Sequence, residues 1–258
     1  MPIEVIQFRC LNDNFGLLVH DISTGATASI DAPDGQEIVT EIRRRGWSLS
    51  HLLITHHHAD HVQGAVTLKK TFPEMIIIGS LKDAYRLPPL DRGVGEGDRI
   101  LIGDTTAQVI ETPGHTLGHI AYHFNQDAAV FVGDTLFSLG CGRVFEGTME
   151  MMHLSLNKLA NLPEETHIYC GHEYTQANGK FALTVDPENN SLKERMRYVD
   201  ALRQSGQFTL PTTIALERAT NPFLRVEDPD IKRTMGLTQA GAVEVFSHMR
   251  ERKNNFRA

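Results

Sequence analysis

Four short apolar runs in this chain each stop at a threonine, proline or glycine and are followed at once by histidine or aspartate. Leu52-Leu53-Ile54 leads into Thr55-His56-His57-His58-Ala59-Asp60-His61. Residues 107–112 are ended by Pro113-Gly114 ahead of His115. Residues 128–132 end at Gly133 with Asp134 behind it, and residues 167–170 end at Gly171 and deliver His172. Runs of this length and character make buried strands, and glycine or proline breaks them so that the next side chain reaches over the sheet edge. One such histidine is an ordinary loop residue. Four strand ends loaded with histidine and aspartate are not explained by packing.

The heptapeptide is the densest of these ends. In an extended segment side chains alternate, so His56 and His58 point one way and His57 the other, which leaves His57 out of any shared site. Asp60 and His61 open a periodic segment (Val62, Ala65, Val66, Leu68) with helical spacing, and an aspartate before a helix is ordinarily its N-cap. The neighbouring imidazoles change that reading. Imidazole nitrogens with a carboxylate suit a transition metal, and a structural zinc draws more often on cysteine, whereas the nearest cysteines, Cys10 and Cys141, are far away. The candidate ligands are His56, His58, Asp60, His61, His115, Asp134 and His172. Seven donors exceed the needs of one tetrahedral ion and suit two ions that share a carboxylate. Two such ions lower the pKa of a shared water from 15.7 towards ~7 and polarise a carbonyl. A thiolate of pKa ≈ 8.5 leaves without an acid, so a site of this kind is adequate for a thioester.

Composition narrows the class. A chain of 258 residues, 41% of them hydrophobic, buries a sizeable core as one large domain or two modest ones. The net charge of −7 disfavours a general nucleic-acid binder. No run approaches the length of a membrane span, and the start reads as a first strand, not a signal peptide. Three cysteines without a C-x-x-C pair argue for free thiols in a reducing compartment, so a cytoplasmic enzyme is expected. Strands are expected near 3–8, 15–20, 27–31, 51–55, 75–79, 107–112, 120–124, 128–132 and 167–170, with helices near 36–46, 61–72 and 149–161. This is a layered α/β arrangement. Beyond Tyr174 strand signals fade, and Leu192, Met196, Val199 and Leu202 fall at helical spacing. The tail is basic through Arg250, Arg252, Lys253 and Arg257, which composition alone assigns to the carboxyl end of a terminal helix. His20, His51, His123, His153 and His248 belong to no motif and read as surface or packing residues. His119 is balanced between packing and support of the ligands.

The motifs T-H-H-H-A-D-H (55–61), T-P-G-H-T-L-G-H (112–119) and G-D-T-L-F (133–137) resemble the metallo-β-lactamase superfamily. G-C-G-R-V-F-E-G-T (140–148), G-H-E-Y-T (171–175) and R-x-x-K-x-x-F (250–256) resemble, within it, the glyoxalase II family of hydroxyacylglutathione hydrolases. The resemblance spans Asp13-Asn14 to Phe256. It implies an αββα sandwich, residues 1–172, followed by a small all-helical substrate-binding domain, residues 173–258. It implies that His56, His58 and His115 bind one metal, that Asp60, His61 and His172 bind the other, and that Asp134 bridges them. Asp60 and Asp134 are then the catalytic carboxylates. The ions are zinc in first place, with iron or manganese as alternatives. A hydroxide between them attacks the thioester of S-D-lactoylglutathione, releasing D-lactate and glutathione. Arg143, Tyr174, Arg250 and Lys253 match positions that hold the glutathione moiety, whose two carboxylates suit cationic partners.

The central loop departs from the G-C-G-K-x-Y form: Arg143 keeps the charge, but Phe145 loses a hydroxyl, so a glutathione contact there is not carried over. The alternative reading is another hydrolase of the superfamily, a lactonase or nuclease, or a persulfide dioxygenase. A monomer without nucleic-acid or membrane partners is expected.

Overall fold

The computed structural model describes residues 3–257. Two compact units emerge. One runs up to Glu111 and takes in Thr116–Gly133. The other comprises Thr112–His115 and the chain from Asp134 onward.

The first unit holds β1 (Ile3–Cys10), β2 (Asn14–Asp21), β3 (Thr27–Ile30), α1 (Gly35–Arg44), β4 (His51–Leu53), α2 (Ala59–Val62), α3 (Ala65–Thr71), β5 (Ile76–Ser80), β6 (Arg92–Val94), β7 (Arg99–Ile102), β8 (Thr105–Glu111), β9 (Ile120–Phe124) and β10 (Ala129–Phe131). Strands β1 to β6 form one sheet in sequence order, antiparallel across β1-β2-β3 and parallel across β3-β4-β5-β6. Strands β7 to β10 lie in a second sheet as an antiparallel meander. The parallel stretch requires crossovers, and α1 and α2–α3 supply two of them. Their apolar faces (Ile38, Val39 and Ile42 of α1, Ala65 and Leu68 of α3) bury against Leu18, Leu52, Ile54 and Ile77 of the first sheet. Asp34 caps α1 by accepting from the amides of Gln36 and Glu37.

Two details depart from the sequence reading. The helix expected at 61–72 is broken into α2 and α3 at Gly64, which packs on Gly35 so closely that a Cβ would overlap the Gly35 amide nitrogen and lie 2.8 Å from the Ala32 carbonyl oxygen. Asp60 is not the cap: the N-cap position belongs to His58, which makes no side-chain cap hydrogen bond, and Asp60 lies within the first turn. Strands β6 and β7, three and four residues long, are too short to have been visible.

The second unit holds two short hairpin strands, β11 (Leu136–Phe137) and β12 (Gly140–Cys141), then α4 (Met149–Ala160), β13 (His167–Tyr169), α5 (Thr175–Val185), α6 (Asn190–Gln204), β14 (Thr212–Thr213), α7 (Ile214–Thr220), α8 (Pro229–Met235) and α9 (Ala242–Asn254). Its core joins Leu139 with Ala182 of α5 and Leu192, Met196 and Val199 of α6. An aromatic row runs from Phe181 through Phe223 to Phe246, with ring centroids 6.1 and 5.8 Å apart. Among the described residues no helix is long and apolar enough to cross a membrane.

Candidate active site

In the first unit, β3 and β4 run parallel and end side by side, which brings Asp31 to Thr55. The Asp31 carboxylate accepts from the Thr55 amide at 2.7 Å, from the Thr55 hydroxyl at 2.8 Å and from His61 Nδ1 at 2.7 Å. A carboxylate only accepts, so His61 carries its proton on Nδ1 and leaves the Nε2 lone pair facing Asp60 Oδ2 at 3.7 Å. The same reasoning passes through Thr55. Its hydroxyl donates to Asp31 and therefore accepts from His56 Nδ1 at 3.0 Å, which leaves His56 Nε2 as a lone pair 3.1 Å from His58 Nδ1. Asn14, the first residue of β2, donates to Asp60 Oδ2 at 3.1 Å and to the Asp60 carbonyl at 3.2 Å. Ligating atoms of Asp31, His56 and His61 all lie within 4.8 Å of one another.

His57 faces elsewhere, as alternation predicts. Its Nδ1 donates to Asp83 Oδ2 at 3.2 Å, and the buried Asp83 carboxylate also accepts from Arg86 at 2.6 Å. His119 is buried and stacks on His56 with centroids 4.9 Å apart, which gives it a supporting place beside a candidate ligand ring. Gly133, at φ +46°, lies where a Cβ would meet the Thr55 hydroxyl and His119 Nε2, so the residue before Asp134 has no room for a side chain.

In the second unit, Asp134 Oδ2 lies 3.6 Å from His115 Nε2 and 3.3 Å from His172 Nε2. His115 Nδ1 donates to the Arg143 carbonyl at 2.8 Å, so its Nε2 is the lone pair turned to Asp134. The His172 ring stacks on Tyr174, 4.7 Å apart and 4° from parallel, and Phe137 sets its edge against Tyr174 at 5.3 Å. The first unit thus turns His61 Nε2 towards Asp60 and the second turns His115 and His172 towards Asp134, and in His56, His61 and His115 the opposite ring nitrogen is held by a protein acceptor. That donor set fits a divalent cation.

The four residues matched to substrate binding differ in setting. Arg143 is exposed and Tyr174 half-buried. Arg250 is buried, donates to the Cys141 carbonyl at 2.7 Å and to Asn254 at 3.0 Å, and lies over the Phe223 ring at 5.2 Å. Lys253 donates to the Ala177 carbonyl of α5 at 3.1 Å and faces the rings of Phe181 and Phe256 at 5.5 and 5.4 Å. Burial, with Arg250 and Arg143 as like charges, pulls the Lys253 ammonium down to about 8. Its contacts are therefore with α5 and the two cations, which a simple helix-end charge does not require. Phe145 is exposed, its ring 5.3 Å from His115.

Asp31, Asn14, Thr55 and Asp83 were missed as site residues. Asp31 repeats the rule that exposed the ligands, an apolar strand ending at an acidic residue. Asn14 and Asp83 are brought in only by tertiary pairing and left no such signal.

Residues 24–172 match the model of the metallo-beta-lactamase superfamily, and residues 173–256 that of the hydroxyacylglutathione hydrolase C-terminus. ETHE1 from Myxococcus xanthus superposes with a TM-score of 0.69 at 25% identity, covering 100% of this chain and 93% of that one. The fold is thus a metallo-beta-lactamase fold followed by a helical C-terminal region. The hydroxyacylglutathione hydrolase of Chelativorans sp. (strain BNC1) is 53% identical over 256 residues, 99% of this chain and 100% of that protein. That of Rhizobium johnstonii is 52% identical over 255 residues, 99% of each. This chain belongs to the hydroxyacylglutathione hydrolase family.

Proposed function

We propose that the chain hydrolyses the thioester of S-D-lactoylglutathione and related 2-hydroxyacylglutathiones to the hydroxy acid and glutathione. The observation that carries this reading is family membership from end to end, the helical C-terminal part included. Two divalent ions, zinc in first place, would be held by His56, His58 and His115, by Asp60, His61 and His172, and by Asp134 as the shared carboxylate. Such ions, when bound, lower the pKa of a coordinated water and polarise a carbonyl oxygen, so no separate protein base is required.

The chain's own residues orient the parts. Asp31, Thr55 and the Arg143 carbonyl hold protons on the outer nitrogens of His61, His56 and His115 and keep their inner nitrogens as donors. Residues 173–258 are assigned to substrate binding and residues 1–172 to catalysis. Arg143, Arg250 and Lys253 supply positive charge for the glutathione carboxylates, and burial, followed by the like charges of Arg250 and Arg143, depresses the Lys253 ammonium. Tyr174, parallel to the His172 ring, offers its hydroxyl to the peptide. Cys10, Cys141 and Cys170 are free and buried, which supports a reducing compartment, the cytoplasm.

Thiol release from S-D-lactoylglutathione, run beside a small thioester without carboxylates, a lactone and a nuclease substrate, tests the assignment. The glutathione thioester is expected to give the highest kcat/KM. Faster turnover of the lactone or the nucleic acid would overturn it.

A further inference from the structure

The turn that joins β11 to β12 is gripped at every residue by side chains of the second unit. Asn221 donates from Nδ2 to the carbonyls of Phe137 at 3.1 Å and Gly140 at 2.9 Å. The Ser138 hydroxyl accepts from Arg195 at 2.9 Å, and the Ser138 carbonyl accepts from Asn178 at 3.1 Å. The Leu139 amide donates to Glu217 Oε2 at 2.9 Å. Arg195 also pairs with Glu217 and donates to Thr212 at 2.8 Å, and Asn221 donates to Glu217 Oε2 at 3.0 Å. Glu217 and Asn221 are 0% exposed and Arg195 7%.

Leu139 sits at φ +58°, a left-handed conformation that a leucine holds only when its surroundings impose it. A buried ion pair is weak evidence of added stability. Here its members, with Asn221, direct their polar atoms at the backbone of one turn. The chain leaving that turn is Cys141-Gly142-Arg143. The Cys141 carbonyl is taken by Arg250, the Gly142 amide by the Thr135 carbonyl at 3.0 Å, and the Arg143 carbonyl by His115. The exposed Arg143 side chain projects from backbone that these three hydrogen bonds hold and that continues directly from the gripped turn.

We infer that Glu217, Arg195 and Asn221 are positioning residues for substrate binding: they hold the Phe137–Gly140 turn in its left-handed form and so set the backbone from which Arg143 meets a glutathione carboxylate. This rests on the proposed thioester substrate.

The informative variant is Asn221→Ser in the full-length, metal-loaded protein. Serine still accepts from the Phe223 amide, as the Asn221 side chain does at 3.1 Å, but cannot donate to both turn carbonyls. KM for S-D-lactoylglutathione is expected to rise about tenfold with kcat within about threefold, and KM for a small thioester without carboxylates to change less than about twofold. In an Arg143→Ala background the same substitution should add less than about twofold, because the two changes act through one contact. An equal rise for both substrates, the same factor in both backgrounds, or an unchanged KM overturns the inference. Glu217→Gln, read in the same way, serves if Asn221→Ser does not fold. A wild-type protein that leaves S-D-lactoylglutathione intact overturns the functional reading and this inference together, whereas an active wild type with an unaltered variant overturns this inference alone.

Discussion

A single carboxylate, Asp31, sets the protonation of two rings proposed to bind metal, His61 directly and His56 through the Thr55 hydroxyl. Neighbouring histidines in one tripeptide therefore have unlike roles. His57→Ala removes a contact to Asp83 and should keep the metal content, while His56→Ala and His58→Ala should lose it; metal analysis after gel filtration checks this, and equal loss in all three would contradict it. Lys253 makes a second residue-level prediction. Its ammonium titrates near 8 because of burial and the like charges of Arg250 and Arg143, so it is cationic below that pH and neutral above it. KM for the glutathione thioester should therefore climb as pH passes about 8, and Lys253→Met should be weak at every pH and flat in KM across that range. A wild-type KM that stays constant from pH 7 to 9 would remove the ammonium from substrate binding.

At the scale of elements, the apolar runs that end at breaks were legible because strand ends in such a sheet are marked by the loss of hydrophobicity and by a threonine, glycine or proline at the break. That is why β4, β8, β10 and β13 and the residues that follow them could be read directly. The supporting shell was not legible, since Asn14 reaches Asp60 from β2 and Asp83 reaches His57 across residues far apart in sequence. The expectation of one helix at 61–72 failed for a similar reason: periodicity continues through Gly64, and only the close approach of Gly35 breaks it. Gly64→Ala should cost roughly 1–3 kcal/mol in urea unfolding, because the atoms its Cβ meets are backbone and cannot rotate away. A neutral effect would show that the α1 start and the α2–α3 junction give way easily. The basic tail does close a terminal helix, with Arg252 and Lys253 in the last turn of α9, but composition does not show that Lys253 also donates to α5 and Arg250 to Cys141.

For the molecule as a whole, a net charge of −7 coexists with a local group of three cations, which is the distribution expected of an enzyme that selects an anionic small substrate and not a polyanion. Stability should also depend on pH outside the site. Burial lowers the pKa of His51, His123 and His153 below the ordinary histidine value, so each is neutral when folded and protonates more readily when unfolded. Stability from this source is complete above about pH 6.5 and is lost as pH falls from there through the folded values. His123→Leu should flatten the slope of unfolding free energy between pH 5 and 6.5, and an unchanged slope would contradict that origin. Two ions are proposed to serve one thioester reaction. Stoichiometric addition of zinc to chelated protein, followed by thiol release from S-D-lactoylglutathione, measures this directly. Activity is predicted to rise until two equivalents per chain are bound, with Asp134→Ala binding less metal and remaining inactive; full activity at one equivalent would contradict the shared-carboxylate centre.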